Sequence, residues 1–307
     1  YFVRDVNVKI GVLGNEGSWY VNQACAGAAE RGHTAVPLRF PEIRGSVLDG
    51  KTELRIGEHC VADFDVLLVR TMPPGSLEQV VLRMDILATA AALGVRVVNS
   101  PKSIECAVDK YLTTQKLALA GLPVPDTIVC ENSETAMEAF ETLGQDVVVK
   151  PIFGAEGRGI LRVDQRELAL RTFRTLERLD ATIYLQRFLK GPLEDIRILM
   201  LDGRPIASMK RTPAEGDFRA NAAQHGHCVP WNPSDQEVEL AKRAAEVTDC
   251  VFSGIDLMYN EHREAVVIEV NAVPGWRWIQ KTCNVNVLTA LLDWLEKTNP
   301  KSSERKI

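Results

Sequence analysis

Short apolar runs alternate along the chain with longer stretches of mixed apolar and polar residues. The run at 8–13 predicts a buried strand, followed by Gly14, Gly17 and a helix from about 20 to 32. Residues 35–40 predict a second strand, and the mixed stretch 41–62 has room for a small hairpin. A strand at 65–70, a helix near 77–93 and a strand at 95–98 follow. Strands that alternate with helices imply a parallel sheet covered by helices. Residues 1–100 are therefore expected to form an α/β domain.

Asn99-Ser100-Pro101 marks the exit from that domain, because proline cannot continue a strand ladder. A helix is expected from about 110 to 120, with Gly121 at its C-cap position and Pro123 and Pro125 barring continuation. Strand 127–130, helix 134–143, strand 146–150, a glycine loop at 154–159, strand 160–163 and helix 165–179 make a central unit, 101–184. The remaining unit, 185–300, carries strands at 196–201 and 205–211 around the turn Asp202-Gly203, then a polar segment at 212–233. A helix at 235–248, strands at 251–259 and 265–271 and a last helix at 285–297 complete it. Residues 301–307 read as a polar tail. The expected class is mixed α/β.

Composition narrows the function classes. The 307 residues suit two or three modest domains, and a net charge of -5 argues against a dedicated nucleic-acid or membrane-surface protein. Seven scattered cysteines form no C-x-x-C pair, which predicts reduced thiols in a cytoplasmic protein rather than a disulfide framework or zinc site. No stretch approaches the roughly 18 uninterrupted apolar residues of a membrane helix, and no signal peptide is visible.

Two acidic strands carry the strongest chemical signal: Gly254-Ile255-Asp256-Leu257-Met258 and Ile268-Glu269-Val270-Asn271. Alternate strand residues face the same way, so Glu269 and Asn271 share a face. The short link 260–264 predicts a hairpin that brings Asp256 near them. Two carboxylates and an amide oxygen suit a hard cation such as Mg²⁺. Read alone, the acids equally suit the solvent side of a sheet. A second signal is the apolar run 147–149 delivering Lys150, followed by Gly154, Gly157 and Gly159. Glycines let backbone N–H groups approach phosphate oxygens. No Lys-Ser/Thr closes this loop, so it is not a Walker A motif, and it leads into a strand, unlike a Rossmann fingerprint. An ordinary hairpin turn reads the same way.

Weaker signals flank these two. Asp109-Lys110 opens a helix, where Asp109 is equally an N-cap. Gln186-Arg187-Phe188-Leu189 lies between two units and can meet an adenine edge through backbone groups, or be core strand. Arg211, and Arg219 with Asn221 in the polar loop, can stabilise transferring phosphoryl or acyl oxygens, although a solvated loop reads alike.

Taken together and in this order, the motifs resemble the ATP-grasp family, and within it the RimK-like α-L-glutamate ligases, from Asp109 to about Trp294. The residues that carry the resemblance are Asp109-Lys110, Val149-Lys150-Pro151, the loop 153–159, the hinge 186–189, Asp195-Ile196-Arg197, the loop 215–221, Gly254-Ile255-Asp256, Glu269-Val270-Asn271 and Pro274-Gly275. The first hundred residues look like the Rossmann-like domain that precedes ATP-grasp modules. The resemblance implies an ATP-grasp fold in which Lys110 and Lys150 contact phosphates and Gln186, Arg187, Phe188 and Leu189 frame the adenine. Asp195 would hold ribose hydroxyls, and Ile268 would pack under the purine. Asp256, Glu269 and Asn271 would hold two Mg²⁺ ions, which Mn²⁺ can replace, with Arg219 and Asn221 near the γ-phosphate and substrate. Arg187 departs from the Glu these ligases often carry, which puts nucleotide affinity or base selectivity in question.

The implied reaction transfers a phosphoryl group from ATP to a carboxylate; an amine, expected to be L-glutamate, then attacks the acyl phosphate to give an amide. No covalent nucleophile is visible and none is required. No general base stands out, although His225 and His227 sit in the right loop. Val273-Pro274-Gly275-Trp276-Arg277-Trp278 looks more like the cofactor-directed, tetrahydromethanopterin branch than the ribosomal-protein branch. Its two tryptophans either stack on a flat pterin-like ring or belong to the core. The expected partners are ATP, an amino acid and a small-molecule carboxylate, with a homo-oligomer in keeping with the family. A protein-directed glutamyl ligase and a non-catalytic nucleotide-binding module are the alternatives.

Overall fold

The computed structural model describes residues 7–154, 158–218 and 227–298. Gly157, Arg219, Asn221, His225 and the 301–307 tail, named above, lie outside the described residues. The first unit runs β1 (Lys9–Leu13), α1 (Trp19–Glu30), β2 (Thr34–Leu38), β3 (Ile43–Leu48), β4 (Lys51–Ile56), β5 (His59–Cys60), β6 (Val66–Val69), α2 (Leu77–Ala92) and β7 (Arg96–Val98). Strands β2-β1-β6-β7 form a parallel sheet in that order. Every residue of β6 is buried, as expected when helices cover both faces. Strands β3 to β5 pair antiparallel where a hairpin was expected.

The central unit opens with α3 (Pro101–Val108) and α4 (Lys110–Leu119). Sequence alone predicts only the second of these helices. Pro101 starts α3 instead of merely ending β7, because a proline in the first turn forfeits an N–H that has no helical partner anyway. Ser100 caps that turn, its Oγ accepting from the Ser103 amide at 3.1 Å. Next come β8 (Thr127–Cys130), α5 (Ser133–Thr142), β9 (Val147–Lys150), β10 (Leu161–Val163), α6 (Arg166–Arg178) and β11 (Ile183–Arg187). They build an antiparallel sheet ordered β10-β9-β11-β8. Because β11 belongs to this sheet, the central unit runs through Arg187, past the expected boundary at 184. Phe140 of α5 and Phe173 of α6 pack on Val147, Val149, Ile183 and Leu185. Strand alternation then leaves Val148, Lys150, Tyr184 and Gln186 on the opposite face.

The third unit contains β12 (Asp195–Leu201), β13 (Arg204–Thr212), β14 (His227–Pro230), α7 (Asp235–Val247), β15 (Phe252–Tyr259), β16 (Ala265–Asn271), α8 (Arg277–Cys283) and α9 (Val287–Thr298). Its antiparallel sheet is ordered β14-β13-β12-β15-β16. Neither β14 nor α8 was expected, since each is short and sits in polar surroundings. Leu240, Ala241 and Ala244 of α7 cover one face, over Ile196, Ile198, Ile255, Leu257 and Val267. The other face is charged at one end. At the other end it is apolar, where Leu199, Met209 and Phe252 lie under Trp276 and Ile279.

Two features lock the first unit to the third. Helix α9 lays Leu288, Leu291 and Leu292 on Val21, Ala24 and Ala28 of α1. Gly27 makes room for this, since a Cβ there would lie 2.4 Å from Leu288 Cδ2. Buried Asn99 is the polar counterpart. Its Nδ2 donates to the carbonyls of Phe252 and Ala272, both at 2.5 Å, and its Oδ1 accepts from the Phe252 amide at 2.9 Å. Among the described residues, no helix is long and apolar enough to cross a membrane.

Candidate active site

The acids of the third unit converge as the alternation requires. Asp256 on β15 stands opposite Glu269 on β16, and Gly254 stands opposite Asn271. A β-bulge interrupts the pairing after Asp256. It leaves both Ile268 and Glu269 partly exposed between buried Val267 and Val270. A bulge breaks the two-residue period, so adjacent side chains can serve one face. The Asn271 amide donates to Gly254 O at 3.3 Å, which turns its carbonyl oxygen the other way. Among the described residues no trio of His, Cys, Asp or Glu could hold a metal. The set Asp256, Glu269 and Asn271 offers hard oxygen donors and nothing softer, and it fits Mg²⁺ when a nucleotide's phosphates supply further oxygens.

Asp256 does not stand alone. Arg197, directly across on β12, donates to it through two nitrogens at 2.7 and 2.5 Å. Arg211 reaches the same carboxylate at 3.1 Å. Arg211 also forks onto Asp195, its cross-strand partner, with Nη2 donating to Oδ2 at 2.8 Å. The result is a largely buried row of two carboxylates and two guanidiniums on one sheet face. Burial opposes ionisation of Asp256, yet the flanking guanidiniums of Arg197 and Arg211 hold its carboxyl below the usual range. Two expectations shift here. Arg211 is almost fully buried and engaged by carboxylates rather than presented to a transferring group. Asp195 has both oxygens engaged by Arg211.

The central unit brings two lysines to this row. Lys110 is the first residue of α4, an end where a cation opposes the helix dipole. It is held by the Gly154 carbonyl at 2.7 Å and by Glu269 at 3.7 Å. Asp109 caps the helix, its carboxylate accepting from the Leu112 amide at 2.9 Å. Lys150, at the end of β9, donates to Gln186 Oε1 at 2.6 Å. Burial pushes its ammonium down to about 8; Lys110 adds to the fall, while Glu269 and Asp256 oppose it.

The hinge is partly committed to holding itself together. Gln186 accepts from Lys150 and donates to Thr127 and Tyr184, which in turn meets Thr114. The Arg187 and Phe188 amides donate to the carbonyls of Asp126 and Asp146, at 2.8 and 2.9 Å. The Arg187 side chain pairs with Asp126 at 2.9 Å on the surface. Beyond Leu189 the chain passes Gly191. A Cβ there would lie 2.1 Å from Tyr259 O and 2.5 Å from Asn260 O. Backbone oxygens cannot turn aside, so Gly191→Ala is expected to push the hinge off the β15–β16 turn. The cost should be about 1–3 kcal/mol by urea unfolding, with weaker nucleotide binding by calorimetry.

The tryptophans divide. Trp276 is fully buried against Tyr20 and Phe252, with the Arg70 guanidinium 4.2 Å from its ring. It is core, not a stacking surface. Trp278 is 51% exposed. Sequence reasoning missed Arg197, Tyr184 and Arg70. Arg197 stood in the Asp195-Ile196-Arg197 motif, so its strand parity with Asp195 was the available signal. Tyr184 shares strand parity with Gln186, two residues on, which was its signal; Arg70 gave none, because its partners lie far along the chain.

Comparisons with known proteins agree with this geometry. A family model described as the RimK-like ATP-grasp domain matches residues 107–295. A tetrahydromethanopterin:alpha-L-glutamate ligase of Methanosarcina acetivorans is 30% identical over 94% of this chain and 98% of its own length. A probable alpha-L-glutamate ligase of Maridesulfovibrio salexigens is 33% identical over 67% of this chain and 68% of its own length. Among solved structures, ATP-grasp ligase PsnB complexed with minimal precursor superposes with a TM-score of 0.74 at 22% identity, covering 95% of this chain and 99% of its own. D-alanine--D-alanine ligase from Bacillus anthracis complexed with ATP gives 0.71 at 18% identity, covering 97% and 99%. With its lysines, hinge and acidic strands in the order that the family model spans, this chain belongs to the RimK-like ATP-grasp family and is an ATP-dependent ligase.

Proposed function

We propose that this enzyme joins L-glutamate to a small-molecule carboxylate acceptor of the pterin type, through an acyl phosphate formed with Mg-ATP. The observation that carries the reading is the meeting of Lys110 and Lys150 with the Asp256–Glu269–Asn271 face, where Lys110 lies 3.7 Å from Glu269. The names of the glutamate-ligase relatives support the amino acid, and that of the Methanosarcina relative supports the acceptor class. In this reading Asp256, Glu269 and Asn271 hold two Mg²⁺ ions, which offset charge on the transferring phosphoryl group.

The chain's own residues do the rest. Lys150 and Lys110 neutralise phosphate oxygens, released from Gln186 and Gly154 as the nucleotide arrives. The hinge carbonyls and the Leu189 amide meet the adenine edge, with Ile268 beneath the ring. Arg197 and Arg211 keep Asp256 ionised and oriented. Aligning the amine then contributes on the order of 7 kcal/mol to lowering the barrier.

Calorimetry of Mg-ATP on the wild type and Glu269→Gln tests the site. Magnesium-dependent binding that weakens in the variant is expected; no magnesium dependence in the wild type would sink the reading. ADP release with L-glutamate and reduced pterin, deazaflavin or glutamate-terminated peptide acceptors then tests the substrates, and turnover of the peptide alone would reject the pterin class.

Lys150 gives this binding a pH signature. Its folded pKa of about 8 lies below the free-lysine value, and phosphate favours the charged form. Below pH 8 the ammonium is already present; above it, binding must take up a proton. Affinity should therefore fall as pH rises above 8, approaching about tenfold per pH unit. Titrations in buffers of different ionisation heat would count the proton, and Lys150→Gln should bind weakly with that dependence flattened.

A further inference from the structure

A cavity of about 350 Å³ adjoins the charged row, lined by His227, Cys228, Trp278, Lys281 and Thr282. Its place follows from strand register. Cys228 on β14 lies opposite Arg211 on β13, and Arg211 reaches Asp256 at 3.1 Å. Residues directly opposite across an antiparallel pair share a face. The cavity therefore continues the sheet face that carries Asp256. Helix α8 forms its other wall, anchored to that face by Ile279 in the cluster with Met209.

The lining points to a class of occupant. Trp278 presents half its surface, although neighbouring Trp276 is fully buried and large aromatics normally pack. Lys281 Nζ stands 5.8 Å from the Trp278 ring centroid. Among the described residues Lys281 makes no ion pair, so its charge is available to a ligand. The volume lies near the lower end of small-molecule sites, about 300–1,000 Å³, and suits a compact ring better than a length of peptide.

We infer that this cavity is the acceptor subsite and that it takes a flat heteroaromatic ring bearing a carboxylate. The ring stacks on the Trp278 indole and Lys281 offsets its negative charge. The carboxylate lies at the end of the cavity toward the charged row, on the side of the Asp256–Glu269–Asn271 face. This assignment rests on the ligase reading and adds the residues that would choose the acceptor.

The test titrates pterin-6-carboxylate into the protein loaded with Mg-ADP, by calorimetry. Saturable binding is expected, weakened about tenfold or more by Trp278→Ala, held within about threefold by Trp278→Phe, and weakened about three- to tenfold by Lys281→Gln. Mg-ADP affinity is measured on the same variants and should not change. If Mg-ADP binds but the pterin acid does not, or if Trp278→Ala binds it as the wild type does, the subsite is wrong and the ligase reading stands. If the wild type fails to bind Mg-ADP, the ligase reading fails and the subsite falls with it.

Discussion

Asp256→Asn should lose both activity and stability. The carboxylate is 5% exposed and neutralises two guanidiniums, with Arg197 at 2.7 and 2.5 Å and Arg211 at 3.1 Å. An amide leaves the largely buried Arg197 without its carboxylate, while Arg211 keeps Asp195, and stranding such a charge typically costs about 3–5 kcal/mol. Urea unfolding of the nucleotide-free protein would measure it. Activity should fall by roughly 10²–10³-fold or more, the scale seen when a group supporting transition-state charge is removed. A double variant separates the two effects. Adding Arg197→Met to Asp256→Asn removes one stranded cation, so part of the stability should return while activity does not. The pH response follows the same logic. Because the folded carboxyl sits below the usual range, its stabilising contribution is complete above the unfolded pKa of about 4 and is lost as pH falls through the folded value. Asp256→Asn should flatten that part of the acid limb. A wild-type-like stability curve would mean that the row does not support the fold.

Asn99→Leu should be comparably damaging although it touches no substrate. Its amide satisfies the carbonyls of Phe252 and Ala272 and the Phe252 amide, and the residue is 2% exposed. An aliphatic side chain of similar size fills the space but leaves three buried backbone groups without partners. Each such loss costs about 1–3 kcal/mol, and with some relaxation the total should be about 3–5 kcal/mol. Ala272 directly follows Asn271, and Phe252 lies on the strand of Asp256, so the lost bonds also loosen the acidic face. Activity should fall at temperatures where the variant is still folded. Thermal unfolding followed by assay of the residual folded protein would separate the two, and unchanged unfolding would show that Asn99 does not hold the first unit in place.

Trp276 and Trp278 mark the limit of what sequence reasoning could decide. Both stood as candidates for stacking on a ligand. The helix α8 between β16 and α9 settles the matter by rotating one into the core and leaving the other beside the cavity. Arg211 is similar. A basic residue near a polar loop reads as a cation for substrate, yet the register of β13 against β12 turns it onto Asp195.

The sequence by itself determined the alternating α/β start, the strand ending in Lys150, the helix opening at Lys110 and the acidic hairpin with Asp256, Glu269 and Asn271. These rest on local causes: two-residue strand alternation, capping residues and the apolar runs of buried strands. Tertiary structure alone decided that Lys110 meets Glu269, that two arginines hold Asp256, that a bulge turns Ile268 to the same side as Glu269, and that Asn99 pins the first unit to the third. Those facts depend on register and on contacts between distant parts of the chain. Each is fixed by the burial of whole sheet faces, a quantity that no local stretch of sequence contains.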